Sequence, residues 1–135
     1  MYQKTITLST KGFTDITDIT DELEKAVQES GRTDGLAVVF VPGSTAAVTT
    51  IENEPGVIED FKRTLEKLVP SGIEYLHNQR WGDGNGFSHV RAALLGPSLS
   101  IPFRGSTPLL GTWQQVVVVD FDNRPRNRKV VFQIL

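Results

Sequence analysis

Polar and apolar positions alternate along residues 2–8, with Tyr2, Lys4, Ile6 and Leu8 on one side and Gln3 and the threonines on the other. A period of two marks a strand with one buried face. Gly12 interrupts it, and the period then lengthens. Ile16, Ile19, Leu23, Ala26 and Val27 recur at helical spacing. Thr20 is the predicted N-cap, Asp21 and Glu22 fall in the first turn, where the helix dipole favours anions, and Ser30-Gly31 is the predicted stop. Gly35 to Val41 is a continuous apolar run, read as a buried strand. Pro42-Gly43-Ser44 turns the chain into a second strand, Ala46 to Ile51. Glu54-Pro55 opens another helix, because proline suits the first helical position. Ile58, Phe61, Leu65 and Leu68 form its predicted buried stripe, and Pro70-Ser71-Gly72 ends it.

Between His77 and His89 the segment Asn78 to Gly86 is too rich in glycine for a helix or a central strand, and it is predicted to be a polar loop. From His89 onward the pattern reads as strands: Val90 to Leu95, Ser98 to Phe103, Gln114 to Phe121 and Lys129 to Leu135. Turns at Gly96-Pro97, Arg104-Gly105-Ser106 and Asp122-Asn123-Arg124-Pro125 separate them. Links this short favour antiparallel pairing. The predicted class is α+β, with a compact, mainly antiparallel β core and two helices in the N-terminal half.

The chain has 135 residues, suited to one domain spanning 1–135. It contains no cysteine, which removes disulfides, thiolate zinc sites and cysteine nucleophiles. Fourteen basic and sixteen acidic residues give a net charge of −2. That balance offers no global attraction to nucleic acid or to an anionic membrane. No apolar run approaches the length of a spanning helix, and the N-terminus lacks the pattern of a signal peptide. A cytoplasmic protein is expected.

Candidate chemistry centres on His77 and His89, the only two histidines, separated by eleven residues. They are the only side chains that ordinarily titrate near neutrality, and imidazole is the commonest side-chain metal ligand. Zinc needs at least three protein ligands. Two histidines would therefore need a carboxylate from Asp83 or Glu52, or would work as an acid–base pair without metal. They could equally be ordinary hydrogen-bonded histidines. Glu52 stands at a strand end, where side chains often project into sites. Ser44 and Thr45 follow a proline and a glycine, a turn that can hold an anion through backbone N–H groups or can be only a turn. Gly111-Thr112-Trp113-Gln114 offers a stacking surface and a donor, against the blander reading of a buried tryptophan at a strand start. Arg124, Arg126, Arg128 and Lys129 form the one basic run, suited to phosphate or to a solvated hairpin.

These residues carry a resemblance. Leu95-Gly96-Pro97-Ser98-Leu99-Ser100-Ile101-Pro102, then Gly105, then Leu110-Gly111-Thr112-Trp113-Gln114, is similar to the signature of the YjbQ-like family of largely uncharacterised proteins. Ser44-Thr45-Ala46-Ala47, Glu52, Asp60, Tyr75-x-His77, Asp83-x-Asn85-x-x-x-His89 and Arg124-Pro125-Arg126-x-Arg128 follow in the family's order. The resemblance implies an α+β fold assembled as a homotrimer, with a polar cleft near a subunit boundary. Carried over by position, that cleft gathers Ser44, Thr45, Glu52, His77, Asp83, Asn85, His89, Thr112, Trp113 and Gln114. It further implies a histidine-held metal in some relatives and, in some bacterial ones, secondary thiamine-phosphate synthase activity, a transferase reaction. On that reading His77, His89 and Glu52 are the catalytic and metal-binding set, with a divalent Mg²⁺, Mn²⁺ or Zn²⁺ as cofactor. Trp113 stacks on a pyrimidine, and Arg91, Arg126 or Arg128 binds phosphate, so a small phosphorylated or anionic ligand is the expected partner. The alternative is a non-catalytic module for a small ligand, anion or metal. One departure stands out: Gly43 occupies a position where many relatives carry histidine, which removes a three-histidine zinc site from a single chain.

Overall fold

The computed structural model describes residues 1–135. Eight strands and four helices follow in the order β1 (Tyr2–Thr10), β2 (Asp15–Asp18), α1 (Thr20–Glu29), β3 (Gly35–Phe40), β4 (Ala46–Ile51), α2 (Pro55–Leu68), α3 (Leu76–Trp81), α4 (Gly86–Leu95), β5 (Ser98–Arg104), β6 (Thr107–Pro108), β7 (Gln115–Asp120) and β8 (Arg126–Ile134). One sheet has the order β1-β8-β3-β5-β6 and the other β2-β7-β4, with every pair antiparallel. The class is α+β, as the hydrophobic pattern predicts. No helix is long and apolar enough to cross a membrane.

The alternation of β7 explains how the layers stack. Val116 and Val118 join Ala46 and Val48 of the small sheet to Val39, Val130 and Phe132 of the large one, with Leu23 and Val27 of α1 in the same cluster. Val117 and Val119 point the other way, onto Leu65 of α2 and Ala92 of α4. A strand buried on both faces needs apolar residues at successive positions, and this is why Val116 to Val119 shows no alternation. β1 lies at the edge of the large sheet, and its alternation is that of a strand wet on one side.

Four local expectations are corrected. The segment from 78 to 95 is neither polar loop to Gly86 nor strand from Val90: Asn78 to Trp81 belong to α3 and Gly86 to Leu95 form α4, so there are four helices rather than two. The glycines punctuate these helices instead of preventing them. Gly82 closes α3 in the left-handed conformation, and Gly86 opens α4. Thr20 does not cap α1. Its Oγ1 accepts the Val116 N–H at 3.0 Å, while Asp18 Oδ1 accepts the Thr20 N–H at 2.9 Å. Ile16 belongs to β2, not to the helix. Finally, Leu68 is exposed and Val69 takes its place inside. Glu54, by contrast, caps α2 as a structural residue, accepting the N–H groups of Gly56 and Val57 ahead of Pro55 at the first helical position.

The link from β1 to β2 is backbone-strained. Gly12, Phe13 and Thr14 have φ of 77°, 54° and 63°, a left-handed run that only its glycine adopts freely. A Cβ on Gly12 would lie 2.3 Å from the Asp122 carbonyl oxygen. The Phe13 N–H donates to that oxygen at 2.8 Å, which ties the strained link to the end of β7.

Candidate functional site

At one end of the two sheets four strand ends meet, and the polar residues there are buried. Asp120, the last residue of β7, and Asp122 just beyond it are fully buried. Arg128 on β8 donates from Nε to Asp120 Oδ2 at 2.7 Å and from Nη2 to Asp120 Oδ1 at 3.0 Å, and Nη2 also reaches the Thr45 hydroxyl. Thr45 donates to Asp122 Oδ2 at 2.8 Å, Arg126 donates to the same oxygen at 3.1 Å, and Thr10 at the end of β1 donates to Asp120. Burial pushes both carboxyls up. It is outweighed at Asp120 by hydrogen bonds from Arg128 and Thr10, and at Asp122 by those from Thr45 and Arg126, so both are held below the usual carboxylate range.

The histidines lie beside this network. α3 presents His77 and α4 presents His89, with ring centroids 4.3 Å apart and planes inclined at 39°. The turn between the helices is knitted in place. Asp83 Oδ1 accepts the Asn85 N–H at 3.1 Å, and the buried Asn85 side chain accepts the Asn123 N–H at 3.1 Å. Asn123 Nδ2 donates back to the Asp83 carbonyl at 2.8 Å. Asp83 Oδ1 lies 3.3 Å from His77 Nδ1, close enough for an ion pair when the imidazole is charged but off the alignment of a hydrogen bond. Burial lowers the His89 pKa, proximity to His77 lowers it further, and Asp83 and Asp122 oppose the shift. His89 is therefore neutral at pH 7. It lines a cavity of about 190 Å³ with Gly43, Ser44, Ala46 and Pro97 among its walls. A Cβ on Gly43 would sit 3.1 Å from Arg128 Nη1, so the missing side chain leaves room beside that guanidinium.

Of the residues singled out in the sequence, Ser44, Thr45, His77, Asp83, Asn85, His89, Arg126 and Arg128 come together here. Glu52 does not. β4 runs from Ala46, opposite Asp120, to Ile51, opposite Gln115. At about 3.3 Å per residue this puts Glu52 roughly 20 Å from the histidine end. Thr112, Trp113 and Gln114 share that far end, where Gln114 Nε2 donates to Thr50 Oγ1 at 3.2 Å and Trp113 is 74 % exposed rather than buried. Arg91 is excluded too. Two positions beyond His89 on α4, it faces the opposite side of the helix, bound to Glu66 at 2.7 Å and to the Val69 carbonyl. The metal set His77, His89 and Glu52 thus does not assemble within the chain. No three His, Asp or Glu side chains surround a common point. The imidazoles pack ring against ring, and within one chain they lack the third protein ligand that a zinc ion needs.

Asp120 and Asp122 escaped sequence reasoning. The available signal was Asp120 itself, a carboxylate inside the apolar run Val116 to Phe121, where burial demands a partner.

A family model described as UPF0047 protein YjbQ-like matches residues 4–135. The chain belongs to the YjbQ family. A UPF0047 protein of Archaeoglobus fulgidus is 39 % identical over 130 residues, covering 96 % of this chain and 98 % of the relative. The UPF0047 protein YugU of Bacillus subtilis is 32 % identical over 133 residues, covering 98 % of each. Among solved structures, a YbjQ-like protein of unknown function from Sulfolobus solfataricus P2 superposes with a TM-score of 0.93 at 32 % identity, covering 98 % of this chain and 95 % of that one. A hypothetical protein of Aeropyrum pernix K1 gives 0.91 at 33 % identity, covering 100 % and 98 %. The YjbQ fold expected from the resemblance is the fold observed.

The lowered pKa of His89 fixes a sign. The unfolded chain takes up the proton near pH 6.5 and the folded chain only at lower pH. This contribution to stability is intact above pH 6.5 and declines as pH falls below it, levelling off once the folded site also protonates. Thermal melts between pH 8 and pH 5 should show the decline, and His89→Gln should flatten it.

Proposed function

We propose that the histidine pair is the acid–base centre of an enzyme acting on a small anionic molecule. The observation that carries this reading is the packing of the chain's two imidazoles at 4.3 Å, with His89 opening on a cavity walled by Gly43 and Ser44. A neutral His89 can take a proton from a bound hydroxyl or amine, and charging it is opposed by burial and by His77. Asp83 Oδ1, 3.3 Å from His77 Nδ1, stands on the far side of the first imidazole from the cavity and orients the ring. Ser44 and Arg128 Nη1, next to Gly43, supply donors for an anionic group.

The narrower reading is thiamine-phosphate synthesis, in which a thiazole nitrogen displaces pyrophosphate from a pyrimidine methyl pyrophosphate. It rests on the family resemblance. Within one chain the site offers it modest support, because Arg126 and Arg128 already neutralise Asp122 and Asp120. Mg²⁺ would arrive chelated by the substrate's pyrophosphate. A second reading, a binding module without turnover, draws on the same compensated charges and on Gly43, and it requires that a bound ligand be recovered unaltered.

Homotrimer formation would unite what one chain separates. The end bearing Glu52, Thr112, Trp113 and Gln114 carries exposed apolar surface at Trp113 and Leu109, 74 % and 60 % accessible. The histidine end is a different surface. Contact between two unlike ends of neighbouring copies is heterologous, and it closes into a three-membered ring when each copy is rotated by about 120° from the last. Light scattering should then return three times the 14.9 kDa chain mass, whereas a monomer rejects the arrangement.

The enzyme reading is tested by incubating the pure protein with the pyrimidine pyrophosphate, the thiazole phosphate and Mg²⁺. Product above background, reduced by about 10²-fold or more in His89→Gln, is the expected outcome. A rate unchanged in His89→Gln removes His89 from the chemistry. Stabilisation by a substrate that is recovered intact favours the binding module.

A further inference from the structure

A second cavity, of about 240 Å³, lies on the side of α4 turned away from the histidines, and Phe13, Thr14, Lys62, Glu66, Phe87 and Arg91 line it. Its donors and acceptors are unevenly matched. Arg91 is 5 % exposed. Its Nε and Nη2 donate to the Val69 carbonyl at 3.0 and 2.8 Å, Nη2 also donates to Glu66 Oε2 at 2.7 Å, and Nη1 donates to Thr14 Oγ1 at 3.3 Å. A guanidinium has five N–H groups. These four bonds leave one, on Nη1, with no protein acceptor. Thr14 Oγ1 receives a bond and keeps its own proton free. Lys62 forms no ion pair. The one carboxylate, Glu66, already receives the Ser71 N–H at 2.9 Å, the Ser71 hydroxyl at 3.1 Å and Arg91.

Three donors thus face the space with one carboxylate that the protein has already engaged. Two cations against one anion leave a single positive charge. Apart from Ser71, the remaining walls are aromatic. The Phe87 ring lies 5.1 Å below the Arg91 guanidinium. Phe13 is 65 % exposed at the rim, held there by the left-handed run through Thr14. Non-glycine residues kept in this conformation cluster at ligand clamps and switches.

We propose that this second cavity binds a small organic monoanion, a carboxylate on an apolar or aromatic body. The carboxylate accepts from Arg91 Nη1, Thr14 Oγ1 and Lys62 Nζ, and the body lies between Phe13 and Phe87. The single excess positive charge matches a monocarboxylate better than a phosphate dianion. The site is independent of the histidine centre and uses none of its residues. One backbone bond joins its rim to the ionic network, the Phe13 N–H donating to the Asp122 carbonyl at 2.8 Å.

The test is a titration of the ¹⁵N-labelled protein with benzoate, and separately with inorganic phosphate, followed by amide and side-chain shifts. Benzoate is expected to move Thr14, Lys62 and Phe87 saturably. Affinity should fall at least fivefold in Lys62→Ala, an exposed position where truncation leaves the fold intact, and should be unchanged in His89→Gln. Any of three results overturns the proposal: no saturable shift at these residues, binding unaffected by Lys62→Ala, or phosphate bound more tightly than benzoate.

Discussion

Two carboxylates with no access to solvent, Asp120 and Asp122, set the constraint on which this molecule turns. A buried ionised carboxylate without a partner costs several kcal/mol, and removing one member of a buried pair costs about 3–5 kcal/mol. Here the network draws on four chain segments, the aspartates' own and three that supply partners. Thr10 ends β1, Thr45 precedes β4, Arg128 belongs to β8, Asp120 ends β7 and Asp122 lies just beyond it. β1 and β8 lie in the large sheet, β4 and β7 in the small one. The network therefore fastens the two sheets together at one end. It holds only when all four strands stop in register.

The candidate site is built on that fastening. The turn between α3 and α4 is bonded to Asn123, the residue after Asp122, and this places His77 and His89 directly over the network. Gly43 and Ser44 adjoin Thr45, so the cavity wall inherits its position from the same bonds. Arg128 is held by Asp120 through Nε and Nη2 and shows Nη1 to the space beside Gly43. One rigid ionic cluster thus positions an imidazole, a hydroxyl and a guanidinium edge that the sequence scatters over 85 positions, from 44 to 128. The charges are matched within the protein, so the site discriminates by geometry and proton transfer more than by raw attraction.

Strands with a regular hydrophobic rhythm were legible from the sequence. β1 alternated, β7 ran apolar because both its faces are buried, and α2 announced itself through Glu54-Pro55. α3 and α4 were hidden because their glycines sit at helix ends, where they act as caps, and composition alone reads them as breakers. The histidine pair was legible as a pair from its rarity. Glu52 was not legible as an outsider. A strand end is a plausible site position at either end, and only the antiparallel register of β4 with β7 shows which end carries the histidines. Apolarity alone leaves Trp113 open to either a stacking surface or a buried strand start, and the structure leaves it 74 % exposed. The Asp120–Arg128 partnership could not be read from spacing, since it joins strands of different sheets.

The most direct test follows the ionisation of Asp120 and Asp122 by ¹³C-carboxyl NMR while pH is lowered. Because their folded pKa values are depressed, both should titrate at a lower pH than a free aspartate. Their stabilising contribution is present above the ordinary carboxylate range and is lost only as pH falls through the lowered values. Midpoints at or above about 4, the value for a free aspartate, would mean that burial outweighs Arg128 and the hydroxyls, and the ionic cluster would not be what holds the two sheets and the site together.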